Sequence, residues 1–224
     1  MPGWLTRSLA DVPDGDAWLS PAERRVAAGL RFERRRADWR LGRLTAKAAV
    51  GAWLGVAPER VEIVAAADGA PEALVDGAPA AVSVSLSHRA GRAIAAVDDA
   101  PRVVGCDIEC VEPRSDAFLQ DWLAPAEQAL VSGASGEAAR ALAANLVWTA
   151  KEAAAKVRRA GLRLDVRQAV VVPAGEPAVD GAWHALRVEW RDRGPTPGWW
   201  RAEPGWVMTL AAEPAGDEPR RLAG

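Results

Sequence analysis

Twice in this chain a long helical pattern runs into a set of strand-like segments, and that doubling limits the fold more than any other feature. The first pattern is RFERRRADWRLGRLTAKAAVGAWLG at 31–55, ending near Gly55. Before it, SPAERRVAAGL places Ser20, Pro21 and Glu23 as a capping box with proline at the first helical position. RVEIVAA and AVSVSL then read as strands, SHRAGR as a turn and AIAAV as a returning strand. The second round opens with APAEQALV as a short helix and ARALAANLVWTAKEAAAKVRRAG as a long one, stopped at Gly161. AVVV, ALRVEW and GWVMTLAA follow as strands, and EPRRLAG reads as a frayed tail. The rounds match in grammar and size, and no residue-level repeat is read. The expectation is an α+β fold of two similar α/β subdomains, 1–103 and 104–224, joined near residues 98–104.

Composition narrows the partners. The 224 residues carry a net charge of −2, so a whole-surface nucleic-acid binder is not expected and any anion site is local. No apolar run approaches the roughly 20 residues of a membrane span. The opening MPGWLTRSLADVPDGD lacks a basic start and an apolar stretch, so no secretory signal is expected. Cys106 and Cys110 on one strand would sit roughly 13 Å apart, too far for a disulfide. His88 and His184 show no zinc spacing. A reducing cytoplasm is the expected setting. Of the 28 basic residues only Lys47, Lys151 and Lys156 are lysine, which points to places where a compact ammonium is needed.

The stretch RVVGCDIECVE at 102–112 puts two carboxylates inside a strand-like run. Alternation sends Val104, Cys106, Ile108 and Cys110 to a core and Gly105, Asp107 and Glu109 to the other face. Neighbouring like charges repel, and a divalent cation reverses that penalty; oxygen-only ligands favour Mg²⁺ or Mn²⁺. The plain alternative is a solvated strand face. Gly105 leaves backbone room for a close approach. In WTAKEAAAK (148–156), Asn145, Trp148, Glu152 and Lys156 line one edge of the apolar stripe. Glu152 and Lys156 read either as a rim salt bridge or as a third carboxylate with an ammonium for phosphate. SLSHR (85–89) places Ser87, His88 and Arg89 at a strand end, as an exposed hairpin turn or a phosphate contact. Arg35 with Arg43, and Arg36 with Arg40 and Lys47, form stripes on the arginine-rich helix, the obvious place for a polyanion.

In this order and spacing, SLSHR, GCDIE and WTAKEAAAK after a WRLGR helix resemble the large, pseudodimeric 4′-phosphopantetheinyl transferases of the surfactin-synthetase-activating type, over roughly residues 20–172. The G-x-D-x-E signature is present as Gly105, Asp107 and Glu109; the W-x-x-K-E-x-x-x-K signature as Trp148, Lys151, Glu152 and Lys156. The resemblance implies transfer of phosphopantetheine from coenzyme A to a serine of an apo acyl or peptidyl carrier protein, releasing 3′,5′-ADP. It implies Mg²⁺ (or Mn²⁺) held by Asp107, Glu109 and Glu152. It also implies coenzyme A contacts from Arg35, Arg40, Ser87, His88 and Lys156, in a cleft between the halves. Asp107, Glu152 and Lys156 are the expected catalytic set, with Glu152 the candidate for taking the serine proton. An internal pseudodimer needs no second chain, so a monomer is expected, serving fatty-acid, polyketide or nonribosomal-peptide synthases.

The pattern departs from the family at GAP (69–71), where Ala70 lacks a cation, and at Arg89. The loop 112–131, with Phe118, Trp122 and Leu123, is the expected carrier dock, and GPTPGWWRAEPGW (194–206) is given no function. Two rivals share the carboxylates: a Mg²⁺-dependent phosphohydrolase of a nucleotide pyrophosphate, and a non-catalytic coenzyme A-binding module.

Overall fold

The computed structural model describes residues 1–159 and 165–223. The chain runs β1 (Gly3–Ser8), α1 (Pro21–Gly29), α2 (Glu33–Leu54), β2 (Val61–Ala65), β3 (Pro71–Val75), β4 (Ala78–Pro79), β5 (Val82–Arg89) and β6 (Arg92–Asp99). It continues through β7 (Val103–Cys110), α3 (Asp116–Trp122), α4 (Pro125–Gly133), α5 (Glu137–Val157), β8 (Ala169–Pro173), β9 (His184–Trp190), β10 (Arg193–Glu203), β11 (Trp206–Glu213) and β12 (Arg220–Arg221). One sheet has the order β12-β1-β6-β5, a second β7-β11-β10-β9-β8, and a small third β2-β3-β4. Helix α2 ends at Gly55, whose φ of 68° is the left-handed cap that glycine adopts freely. The expected stop of α5 at Gly161 lies outside the described residues. No helix among the described residues is long and apolar enough to cross a membrane.

The layers follow from which strand faces are apolar. Trp4, Ile94 and Ala96 of the first sheet meet Val104, Cys106, Ile108, Met208 and Leu210 of the second, so the two sheets pack face to face. The outer face of the first carries Leu5, Ala95 and Val97 against Ala46, Ala49 and Val50 of α2. The outer face of the second carries Trp200, Val207 and Ala211 against Leu146, Ala150 and Ala153 of α5. Helix, sheet, sheet and helix thus stack in order. Edge strands β5 and β7 lie side by side, and β7 donates its Val104 and Cys106 amides to the hydroxyls of Ser83 and Ser85 at 3.1 and 3.0 Å.

A residue-level repeat exists, contrary to the sequence reading. WLSPAE (18–23) returns as WLAPAE (122–127), and TAK (45–47) as TAK (149–151). Folding shows what the repeated residues do. Lys47 Nζ sits 2.9 Å from Glu23 Oε2 and donates to Trp18 O, while Glu23 Oε1 accepts from Ile63 N. Lys151 Nζ sits 2.7 Å from Glu127 Oε2 and donates to Trp122 O, while Glu127 Oε1 accepts from Val171 N. All four charged side chains are at most 2 % exposed. Each pair satisfies a buried charge and pins a short helix, a long helix and the strand after them, which is how ionic groups are tolerated in a core. Lys47 is therefore withdrawn from the polyanion stripe: its ammonium is consumed in the interior.

Two further expectations change, and a segment left unassigned finds its place. SHRAGR is mostly strand, the turn being only Ala90–Gly91, both at positive φ. The tail is not frayed: Arg220 and Arg221 pair in parallel with Gly3 and Trp4, Leu222 packs on the α2 core, and the end of the second half is thereby joined to the first sheet. Segment 194–206 supplies β10, a central strand, despite Pro195 and Pro197; the register shifts between Arg193 and Thr196.

Candidate active site

The site begins with a missing side chain. A Cβ on Gly105 would lie 2.0 Å from Ala153 O, so only glycine lets α5 rest on β7 this closely. The backbone room at Gly105 is filled by the helix. That contact carries Glu152 and Lys156 to the carboxylate face of β7. Lys156 Nζ donates to Asp107 Oδ1 at 2.9 Å and to Cys106 O at 2.8 Å. From the other sheet, Ser87 Oγ donates to the same Oδ1 at 2.6 Å. Asp107 is 6 % exposed and joins β5, β7 and α5, with neither donor engaging Oδ2. Burial pulls the Lys156 ammonium down, but Asp107 and Cys106 outweigh it and its pKa is raised.

Glu109 is held from outside the seam. Its Oε2 lies 3.2 Å from Arg89 Nε and 3.1 Å from Arg114 Nη2, close enough to pair yet not aligned as hydrogen bonds. Burial raises the Glu109 carboxyl against the pull of both arginines. Glu152 is raised by burial and by the charges of Asp107 and Glu109, with Lys156 opposing. Three acids therefore feel one another, while Asp107 turns to Lys156 and Glu109 to arginine. No group of three or more His, Cys, Asp or Glu side chains forms a metal-holding cluster among the described residues. The donor chemistry nonetheless suits a hard divalent cation. The three groups offer only oxygen, Glu109 Oε2 is buried without a hydrogen bond, and a cation would relieve the repulsion that raises Glu152.

The remaining expected residues are spread out. Ser87 and His88 are neighbours in a strand, so they face opposite ways: Ser87 reaches Asp107, while His88 is exposed on the α2 side near Gly42. Arg35 is exposed on α2. Arg40 pairs with Asp16 at 3.0 Å and donates to the carbonyls of Pro13 and Gly15, so it is already committed to that loop. The 112–131 stretch, expected as a loop, carries α3 and most of α4; within it Leu123 is buried and Phe118 packs on the core. Phe118 and Trp122 both meet Trp148 edge-on, which leaves Trp122 as the exposed aromatic.

Beside this cluster lies a cavity of about 720 Å³ between the 65–74 hairpin, β5, the start of β7 and the end of α5. Arg43, Arg102, Lys156 and Arg159 line it, with Asp68 and Glu72. Lys156 thus faces both the cavity and Asp107. Arg43 stacks on Trp39 and its pKa is lowered, chiefly by burial. The sequence reading gave Arg114, Asn145 and Arg159 no site role as cluster or cavity residues. Asn145 accepts from Arg114 Nε at 2.7 Å and donates to Glu112 O, steering the chain as it leaves β7. A cation just past a carboxylate-bearing strand was the available signal for Arg114.

Comparison with known families fits this geometry. Residues 103–206 match the model of the 4′-phosphopantetheinyl transferase superfamily (ACPS). No curated protein matches the chain. The matched span contains β7 and α5, the two elements that carry Asp107, Glu109, Glu152 and Lys156.

Proposed function

We propose that the protein transfers 4′-phosphopantetheine from coenzyme A to a serine of an apo acyl or peptidyl carrier protein and releases 3′,5′-ADP. The observation that carries this reading is the union of the two motifs. Packing at Gly105 sets Lys156 on Asp107, beside Glu109 and Glu152 and at the wall of a cavity of about 720 Å³. The recurrence of WLxPAE and TAK supports a pseudodimer of residues 1–103 and 104–224, the cleft between them taking coenzyme A.

In this proposal Asp107, Glu109 and Glu152 hold Mg²⁺, which when bound supplies Lewis-acid stabilisation of the diphosphate's developing charge. The chain's own groups do the rest. Lys156, fixed by Cys106 O and Asp107, presents an ammonium to the diphosphate at the cavity wall, where charge builds as the carrier serine attacks the β-phosphorus. Ser87 orients Asp107 from β5, so a single carboxylate senses both halves. Glu152, with a raised pKa and a half-buried side chain, takes the serine proton when it is not engaged as a ligand. Arg35 and His88, both exposed, and Arg43 within the cavity are the groups proposed to meet the nucleotide; Arg40 joins them only by releasing Asp16. The carrier docks on the 112–131 segment through Trp122.

The test is to follow 3′,5′-ADP with coenzyme A and Mg²⁺, with and without an apo carrier. Release that requires the carrier, together with a carrier mass gain, is expected. Release without carrier would mark a phosphohydrolase, and binding without turnover a non-catalytic module.

A further inference from the structure

The far wall of the cavity carries a charge cluster that the carboxylate site does not use. Arg159 lies two residues beyond α5 with φ 49°. Its Nε donates to Asp68 Oδ2 at 2.8 Å and its Nη2 to Asp68 Oδ1 at 3.0 Å, a forked contact, and Nη2 also reaches Glu72 Oε1 at 3.3 Å. All three residues line the cavity that Lys156 also lines. Asp68 belongs to the hairpin between β2 and β3, so the contact crosses from one part of the fold to the other. The hairpin residues Asp68, Gly69, Ala70 and Pro71 bring no cation of their own, and the charge opposite Asp68 arrives from the residues just past α5.

Two carboxylates beside a phosphate-bearing ligand repel it unless a guanidinium screens them. The Arg159 guanidinium, helped by the Ala70 amide, holds the Asp68 carboxyl down at about 2. The Glu72 contact is longer and its partners are exposed, so it is easily given up. Neither acid engages Nη1. A guanidinium held along one edge by Asp68, with its Nη1 engaged by neither acid, suits a phosphoryl oxygen, which it binds better than an ammonium does.

We propose that Arg159 is the specificity-determining phosphate contact of this cavity: Asp68 holds one edge of its guanidinium, and a phosphoryl oxygen of coenzyme A takes the other edge in place of Glu72. This rests on the coenzyme A reading above and adds a residue to it. Isothermal titration of coenzyme A with Mg²⁺ and no carrier tests it. Arg159→Ala should raise Kd about tenfold and Arg159→Lys by less, the loss of one charge-assisted contact. Glu72→Gln should tighten binding about threefold, because the phosphate no longer competes for Arg159. In the Arg159→Lys background the gain from Glu72→Gln should shrink, because it works through the guanidinium; an undiminished gain there marks general charge relief and would overturn the contact, and a loss of binding on Glu72→Gln marks a merely structural strap. Repeating the series with dephospho-coenzyme A tells the phosphates apart: a loss confined to coenzyme A assigns the 3′-phosphate, an equal loss assigns the diphosphate. Wild-type binding by Arg159→Ala to both ligands, or parallel weakening by Arg159→Ala and Glu72→Gln, would overturn the assignment. Wild-type protein that binds coenzyme A but modifies no carrier would overturn the proposed transfer and leave Arg159 standing.

Discussion

The two buried Glu–Lys modules match contact for contact, yet only one stands beside a candidate site. Glu23–Lys47 and Glu127–Lys151 each tie a tryptophan carbonyl, a short helix and a strand amide to a long helix. What differs is the sequence around them. After Lys151 come Glu152 and Lys156; at the same spacings after Lys47 stand Ala48 and Ala52. Gly105 faces Val157 as Gly3 faces Trp53, and counting on from each glycine, Asp107 corresponds to Leu5. The buried module is thus repeated and the chemistry is not. A helix, a strand and a buried ion pair serve as a frame, and a few polar substitutions on one copy make the candidate site.

The largest expected effect lies where the copies differ. Glu152→Gln keeps the shape of the side chain and removes its charge, so transfer should fall by about 10²-fold or more with the fold intact, checked by steady-state kinetics beside circular dichroism. A near-normal rate would remove Glu152 from the chemistry. Next comes what the copies share. Lys47→Met and Lys151→Met each strand a buried carboxylate, so each should cost about 3–5 kcal/mol in denaturant unfolding. Similar losses sharpen the comparison. A Lys151→Met protein that stays stable but loses activity would break it, by showing that lysine to be chemical rather than structural.

The glycines give a smaller contrast. Gly105→Ala drives a methyl into the Ala153 carbonyl and should cost about 1–3 kcal/mol while lowering the rate, because α5 must withdraw from Asp107. Gly3→Ala meets only side chains of Leu222 and Trp53, at 2.8 Å, and should leave transfer unchanged. Smallest is a thiol effect. Burial pushes Cys106 up to about 11 and raises Cys110 as well. Alkylation of the native protein should be slow at neutral pH and quicken as pH rises, at the half-buried Cys110 before the buried Cys106. A group raised on folding contributes stability below its unfolded pKa, and that contribution fades as pH rises through the folded one. The native state should therefore weaken on the alkaline side of the ordinary thiol range, readable by thermal unfolding across pH.

Much of this was legible in the sequence. The period-two pattern of 102–112 assigned Val104, Cys106, Ile108 and Cys110 to a core and Asp107 to the other face, because alternation is local geometry; only Cys110, the last residue of β7, departs, being half-buried and outside the core. The long helices were legible from their apolar stripes and Gly55. Strand β10 was not, because Gly194, Pro195, Pro197 and Gly198 read as turn residues. Gly198 is there because a Cβ would meet Leu210 O at 2.6 Å, a packing fact no local pattern reports. The doubled WLxPAE motif was in plain view, but its meaning appears only when Lys47 and Lys151 fold onto their glutamates. In the site, the split between Ser87 and His88 was obscured by reading SHRAGR as a turn. The commitments of Arg40 to Asp16 and of Arg159 to Asp68 are pairings between distant segments, which spacing along the chain does not encode.

The most direct measurement weighs a panel of apo carrier proteins after incubation with coenzyme A, Mg²⁺ and either the wild-type chain or Asp107→Ala. The account predicts that wild type adds one phosphopantetheinyl group to at least one carrier, and that a folded Asp107→Ala adds none. It would be contradicted if no carrier gained mass while a known transferase modified the same panel, or if Asp107→Ala worked as well as wild type.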